Sequence, residues 1–107
     1  MVKNNLILDL DETLIHTRNI LNLKNIESDV CNIIKLPNFI GIVNLRKYLK
    51  EFLSYCYDNF YVSFWTASNS LYCKEILKLI LEKDQYDKTV LILISEAYNG
   101  LLKEIKI

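Results

Sequence analysis

The chain has 107 residues, of which 51% are apolar and 24% are charged, and its 13 basic residues balance its 13 acidic ones. This length fits one small domain and not two, and the zero net charge excludes a global basic field for holding nucleic acid. Every apolar run is far shorter than the roughly 20 residues of a membrane span, and no signal peptide precedes the first strand, so we expect an intracellular protein, nuclear or cytoplasmic, that is not secreted.

The first predicted element is a buried strand over Asn5 to Leu10, because this run is apolar on both faces until its aspartates. The polar stretch from Asp11 to Thr17 breaks the pattern. Residues 18–44 are mixed, and we predict two short strands there around a turn at Pro37-Asn38.

An amphipathic helix is predicted next, over Leu45 to Tyr57, because its apolar residues recur at helical spacing. A second buried strand, Phe60 to Trp65, is β-branched and aromatic. Ser68, Asn69 or Ser70 caps the next predicted helix, Leu71 to Lys83. A polar loop over Asp84 to Lys88, a third buried strand over Thr89 to Ile94 and a weakly amphipathic tail over Ser95 to Ile107 follow.

Apolar strands that alternate with helices predict an α/β fold. We expect a Rossmann-like parallel sheet with helices on both faces and a small flap after the first strand. The three cysteines, Cys31, Cys56 and Cys73, form no CxxC pair, which indicates a reducing compartment and small buried side chains rather than disulfides or zinc ligands.

Two carboxylates, Asp9 and Asp11, end the first predicted strand, and Thr66 and Ser68 end the second. Ligands of open α/β sheets bind at the carboxyl ends of the strands, and residues two apart in an extended chain point to the same side. Two adjacent carboxylates are costly without a cation, so this pattern favours Mg²⁺. Asp-x-Asp alone is also common at solvated turns, but the four apolar residues before it and the second polar strand end argue against that interpretation.

These residues carry a resemblance to a known family. Leu6–Thr17 (LILDLDETLIHT) resembles the first motif of the haloacid dehalogenase superfamily, and more narrowly that of the FCP1/SCP-like, or NLI-interacting-factor, phosphatase domain. Leu45–Leu53 (LRKYLKEFL) and Phe64–Leu77 (FWTASNSLYCKEIL) are similar to two further stretches of that domain. The resemblance implies one haloacid dehalogenase-like domain over residues 1–107 and a Mg²⁺-dependent phosphoserine/threonine protein phosphatase, like those that act on the RNA polymerase II tail.

The resemblance also implies roles for the site residues. Asp9 would be the nucleophile that forms an aspartyl-phosphate, and Asp11 the general acid and base. The Asp9 carboxylate and the Asp11 backbone carbonyl would hold Mg²⁺, and Thr66, helped by Ser68, would bind the phosphoryl oxygens. Thr13 would orient Asp11 or support the turn, and it is counted with Thr66 and Ser68 among the phosphate-binding residues.

The sequence departs from the family in its C-terminal part. Lys103 is our candidate for the lysine of the third motif, with a solvated lysine on a short terminal helix as the alternative. No acidic pair follows Asp87, so the fourth motif, which completes the magnesium shell, is absent. The domain is therefore C-terminally truncated relative to the family, its sheet is incomplete, and the first strand should form an exposed edge that invites pairing with another chain. Three interpretations stay open: an N-terminal fragment of a longer protein, a truncated gene product, or a minimal form that completes its sheet through a second copy or a partner chain.

Other functions stay open at this point. The same fold without catalysis would be a protein-interaction module, as in relatives from mitochondrial import, or an inactive truncated homologue. A receiver domain is disfavoured because the third strand ends without an aspartate. His16, the sole histidine, is not expected to act as an acid or base, and we expect Tyr72 and the other aromatic residues to pack rather than to bind nucleic acid.

Overall fold

The computed structural model describes residues 3–19, 32–37, 39–95 and 102–106. Seven strands and three helices are formed there, in the order β1 (Asn4–Leu8), β2 (Ile15–Asn19), β3 (Ile33–Leu36), β4 (Phe39–Leu45), α1 (Leu49–Asn59), β5 (Phe60–Thr66), α2 (Ser70–Ile80), α3 (Lys83–Lys88), β6 (Ile92–Ser95) and β7 (Leu102–Lys106).

The main sheet has the strand order β1-β5-β6-β7. The first three strands are parallel: Leu8 pairs with Phe64, and Thr66 pairs with Ile94. Strand β7 is antiparallel to β6. The predicted α/β fold with an incomplete parallel sheet is thereby confirmed, and among the described strands β1 lies at an edge.

One face of this sheet carries the core. In β5, Val62 and Phe64 are fully buried against residues of α1 and α2, whereas Tyr61 and Trp65, which point the other way, are 49% and 47% exposed. Ile7 of β1, on the same side as these two, is 60% exposed. The prediction that these strands are buried on both faces is therefore wrong for β1 and β5.

Handedness explains why the described helices share one face. The chain adds β5 and then β6 in the same direction across the sheet. Parallel crossovers are almost always right-handed, so two successive crossovers in one direction place both helices on the same side. Helices on both faces, as the sequence predicts, require a strand beyond β1 and a crossover in the opposite direction.

The flap is a second sheet of three antiparallel strands, in the order β2-β4-β3. Pro37 of the predicted turn lies in a turn after β3, and Asn38 lies outside the described residues. Strand β2 was expected to be a polar break and is a strand paired with β4. A Cβ atom at Gly41 would lie 2.6 Å from the Phe39 ring and 2.8 Å from the Thr17 methyl group, so only glycine lets these side chains approach. Residues 20–31, with Cys31, lie outside the described ranges.

The helices differ from prediction at their ends. Helix α1 begins at Leu49 rather than Leu45, because Leu45 continues β4 and pairs with Ile15. Asn69 caps α2, as one of three predicted candidates. The predicted polar loop at Asp84–Lys88 is the short helix α3, because Glu82 and Gln85 satisfy its first N–H groups as a capping box.

The C-terminal tail, predicted to be weakly amphipathic, forms strand β7 over residues 102–106. The rest of it, 96–101 and 107, lies outside the described ranges. Cys56 and Cys73 are buried free thiols, as predicted. Within the described part of the chain, none of the helices has both the length and the apolarity to cross a membrane.

The one-sided core gives a direct test by substitution at neighbouring positions of β5. Replacement of buried Phe64 by alanine should lower the free energy of unfolding by about 3 to 5 kcal/mol. Replacement of the larger but half-exposed Trp65 should lower it by about 1 kcal/mol. Urea denaturation measures both, and equal losses would contradict the assignment of Trp65 to an open face.

Candidate active site

The loop after β1 is folded around one buried anchor. Leu10 is fully buried, and its carbonyl accepts hydrogen bonds from the backbone N–H groups of Thr13, Leu14 and Ile15 at 3.3, 2.9 and 3.2 Å. Glu12 has a φ of 63°, the left-handed conformation that lets the chain reverse here. Asp9 and Asp11 are therefore held on the two sides of a fixed residue.

Asp9 follows the last residue of β1 and is exposed. The Thr13 hydroxyl donates a hydrogen bond to its Oδ2 atom at 3.1 Å, which leaves Oδ1 without a partner among the described hydrogen bonds. Sequence reasoning placed Thr13 beside Asp11 or in the turn. Thr13 does lie in the turn, and its hydroxyl contacts the side chain of Asp9 rather than that of Asp11.

Asp11 is half-buried and lies under the flap. Its Oδ1 atom accepts a hydrogen bond of 2.6 Å from the Tyr72 hydroxyl of α2. That hydroxyl also shares a 2.7 Å hydrogen bond with Thr17 of β2. Sequence reasoning missed this three-residue network, because a tyrosine inside an apolar helical stripe is typical of core packing; the only signal was its place in the third matched stretch.

Thr66 ends β5 and is only 2% exposed. Its Oγ1 atom lies 3.0 Å from the Ser68 hydroxyl and accepts a 3.2 Å hydrogen bond from the Ser68 backbone N–H. Helix α2 begins directly afterwards, where the Asn69 side chain accepts the N–H of Tyr72 at 2.8 Å. The site therefore combines two hydroxyl groups with the N-terminal end of a helix, which favours anions.

The parallel pairing of β1 with β5 brings these groups to one edge of the sheet. Leu8 lies opposite Phe64, so Asp9 comes one residue after this pair and Thr66 comes two residues after it. Asp9, Asp11, Thr66 and Ser68 thus lie where the sequence predicted them, beyond the carboxyl ends of neighbouring strands. Their catalytic and binding roles stay predictions.

Arg46 ties the loop after β1 to the chain that enters α1. Its guanidinium donates to the carbonyl of Thr13 at 3.0 Å, and its backbone N–H donates to the carbonyl of Leu14 at 3.0 Å. Sequence reasoning treated Arg46 only as a residue off the apolar stripe of the predicted helix. Because it binds backbone atoms, its contribution is to fix the loop that carries both aspartates.

A groove of about 400 Å³ opens between the flap and the start of α2. The Phe39 ring of the flap meets the Tyr72 ring edge-on, with centroids 6.3 Å apart. The groove is acidic near the loop and apolar toward the flap, and its lining comprises Asp11, Glu12, Thr17, Leu36, Phe39, Ser68, Asn69 and Tyr72. His16 lies on the other side of the loop, where it contacts Glu12 at 2.7 Å.

Burial dominates the electrostatics around Asp11. It raises the pKa of the Tyr72 phenol, and the hydrogen bond to Asp11 raises it further, so Tyr72 stays protonated and acts as a donor. Burial, and secondarily the charge of Asp11, raise the pKa of the neighbouring Cys73 thiol to about 11. Both groups are neutral at physiological pH.

The donor set suits a hard cation. Asp9 and Asp11 offer carboxylate oxygens only, and Mg²⁺ binds through one or two carboxylates while it keeps several waters or substrate oxygens. Among the described residues, no group of three or more histidine, cysteine, aspartate or glutamate side chains could hold a metal. A metal ion at this site would therefore need ligands beyond these two residues' side chains.

Lys103 lies in β7, where it pairs with Ile94. It belongs to a strand and not to the terminal helix considered as an alternative. Strand β7 starts opposite Ser95, the last residue of β6, so the backbone of Lys103 lies toward the same sheet edge as Asp9 and Thr66. Its side chain is outside what the structure describes, and its role stays a prediction.

Comparison with known proteins gives a family and a fold. The model of the family described as NLI interacting factor-like phosphatase matches residues 4–107. A solved structure of a variant of the fission yeast RNA polymerase II CTD phosphatase Fcp1, bound to beryllium fluoride, matches with a TM-score of 0.57 and 24% identity, over 81% of this chain and 28% of that one. At this identity the likeness establishes the fold alone. No curated protein sequence matches.

The raised pKa of Cys73 gives a test by pH. The folded value of about 11 exceeds the ordinary 9.0, so the stabilisation that this thiol contributes is complete below pH 9 and is lost as the pH rises through 11. We expect the difference in unfolding free energy between the wild type and Cys73→Ala to shrink over this range in urea denaturation. The difference should be constant below about pH 8. A constant difference up to pH 11 would contradict the account.

Proposed function

Since this chain belongs to the NLI interacting factor-like phosphatase family, we propose that it hydrolyses phosphoserine or phosphothreonine in proteins through a phosphorylated aspartate. The observation that carries the proposal is the register of β1 with β5, which sets Asp9 one residue and Thr66 two residues past the Leu8–Phe64 pair, at one end of the sheet. The chain spans 28% of the length of the phosphatase structure that it matches, so activity and substrate are argued from its own residues.

In the first step, Asp9 attacks phosphorus. A new bond forms between its carboxylate oxygen and phosphorus while the bond from phosphorus to the seryl oxygen breaks. Asp9 is suited to this role because it is exposed and Thr13 holds only one of its oxygens. Asp11 gives a proton to the departing seryl oxygen, which leaves as a neutral alcohol.

In the second step, water attacks the phosphorus of the aspartyl-phosphate. Asp11, now ionised, takes a proton from this water, inorganic phosphate departs and the Asp9 carboxylate is restored. The two steps together consume one water molecule and leave both aspartates in their starting states.

The Asp9 carboxylate and the backbone carbonyl of Asp11 would hold Mg²⁺, which when bound neutralises charge on the phosphoryl group. Thr66, Ser68 and the first N–H groups of α2 would donate hydrogen bonds to the phosphoryl oxygens. We assign the charge-balancing role of the third motif to Lys103, because its backbone lies toward this edge. The apolar side of the groove, with Leu36 and Phe39, would contact the substrate peptide, for which the RNA polymerase II tail is our candidate.

The second candidate is a non-catalytic interaction module of the same fold. The finding in its favour is the donor set: in the described ranges no third metal-binding side chain joins the two aspartates. The finding against it is that Thr13, Arg46 and Tyr72 all hold the aspartates or their loop in place, which a binding module does not need.

Turnover of a phosphoserine peptide separates the two candidates. We expect Mg²⁺-dependent release of phosphate by the wild type and a loss of at least about a thousandfold in Asp9→Asn, because an amide cannot act as the nucleophile. Thr66→Val should lower kcat/KM by about tenfold to a hundredfold, since a buried hydroxyl donor is lost.

Asp58→Asn is the matched control, because it removes an exposed carboxylate at the end of α1. It should retain full activity. A well-folded wild type that releases no phosphate with Mg²⁺ present, or an Asp9→Asn variant with unchanged turnover, would overturn the phosphatase and leave the interaction module.

We also propose that the free edge of β1 is paired in the functional protein. Strand β1 has a partner on one side only among the described strands, and exposed Ile7 lies in it. An apolar edge strand is a template for pairing with another chain. The candidate occupants are a second copy of this chain, a different partner chain and, where the chain is part of a longer protein, another segment of that protein.

Sedimentation equilibrium tests whether a second copy of this chain pairs with β1. If a second copy pairs with β1, the wild type should be a dimer, and Ile7→Lys should make it monomeric because a lysine blocks an edge. The matched control, Leu71→Lys, changes an exposed leucine on α2 and should leave the dimer intact. A wild type that stays monomeric at all concentrations excludes the second copy.

A further inference from the structure

The Tyr72 hydroxyl lies between the loop after β1 and the flap. It contacts Asp11 Oδ1 at 2.6 Å and Thr17 Oγ1 at 2.7 Å. These three side chains come from three different elements: the loop after β1, strand β2 and helix α2. Neither hydroxyl has a place in the reaction steps described above.

Proton counting fixes the direction of both hydrogen bonds. An ionised carboxylate can only accept, so the single proton of Tyr72 points to Asp11. The phenol oxygen must then accept from Thr17, and Thr17 is the donor. Hydrogen bonds to a charged acceptor are the stronger kind, which agrees with the short distance to Asp11.

The same three oxygens also fit the protonated acid. If Asp11 carries its proton on Oδ2, its Oδ1 atom is the carbonyl oxygen of a neutral carboxyl group and still accepts from Tyr72, and Thr17 still donates to the phenol oxygen. Both protonation states that the reaction needs are therefore held by one set of heavy-atom positions. In both states the network occupies Oδ1 and leaves Oδ2 to meet the substrate.

Contacts with its neighbours hold the Tyr72 side chain in one orientation. It is buried, its backbone N–H is bound by the Asn69 side chain at 2.8 Å, and its ring packs edge-on against Phe39. A phenol carries its proton throughout the physiological range. A rigid neutral donor orients a carboxylate without competing for the reaction's proton.

We propose that Tyr72, backed by Thr17, is the positioning residue for the acid and base Asp11: it holds Oδ1 in both protonation states so that Oδ2 exchanges the proton with the leaving group. This inference rests on the proposed phosphatase function. It predicts a defect confined to proton transfer and not a general loss of structure.

Leaving groups of different basicity test this. The phenol oxygen of phenyl phosphate needs a proton as it departs, whereas the dinitrophenolate group of dinitrophenyl phosphate departs readily as an anion. Tyr72→Phe keeps the ring and removes only the hydroxyl. We expect it to lower kcat/KM by about tenfold or more for phenyl phosphate and by less than about threefold for dinitrophenyl phosphate. Because kcat/KM covers only the steps up to departure of the leaving group, the later attack of water does not enter.

Tyr57→Phe is the matched control. It also removes a buried tyrosine hydroxyl, one that lies 2.6 Å from Thr89 Oγ1. It should destabilise the chain as Tyr72→Phe does and leave unchanged the ratio of kcat/KM for phenyl phosphate to kcat/KM for dinitrophenyl phosphate.

Thr17→Val should lower that ratio, and Thr17→Ser, which keeps a hydroxyl, should have the wild-type ratio. These two variants test the inference even where Tyr72→Phe fails to fold.

The outcomes separate this inference from the proposed function. A wild type without turnover overturns both. A wild type that hydrolyses both esters, with equal losses for the two esters in Tyr72→Phe and in Thr17→Val, overturns the positioning role alone. A ratio that falls in Tyr57→Phe as well would also overturn it, because a general loosening would then account for the effect.

Discussion

The parallel pairing of β1 with β5 is the constraint on which the site depends. It sets Leu8 against Phe64 and so carries Asp9 and Thr66 past the same edge of the sheet, although they are far apart in sequence. The two segments bring different groups to this edge, because one supplies carboxylates and the other hydroxyl and N–H donors. The buried face of the two strands stabilises this pairing, since Leu8, Val62 and Phe64 belong to the core beneath α1 and α2.

Sequence alone predicted the parts of the fold that depend on local pattern. The apolar runs around Leu6, Phe64 and Ile92 gave the three parallel strands, and helical spacing gave α1 and α2. The missed features depend on tertiary contacts. Strand β2 reads as polar because it pairs with β4 in the flap, and the open sheet face follows from the direction in which strands are added, which residue pattern does not encode.

The candidate site was predicted to a similar depth. Asp9, Asp11, Thr66 and Ser68 were placed correctly at strand ends, because carboxylates and hydroxyls that follow apolar strands stand out in a sequence. The residues that hold them did not stand out. Arg46 binds carbonyl groups and Tyr72 reaches Asp11 across 61 positions of sequence, and such contacts are set by packing between elements.

The account is tested most directly by finding where phosphate becomes attached to the chain. The protein is incubated with Mg²⁺ and acetyl phosphate, quenched in acid and cut into peptides for mass spectrometry. The account predicts a phosphoryl group on Asp9, released by hydroxylamine as an acyl phosphate should be. A phosphoryl group on a serine or threonine, or none under conditions in which the chain is folded, would contradict it.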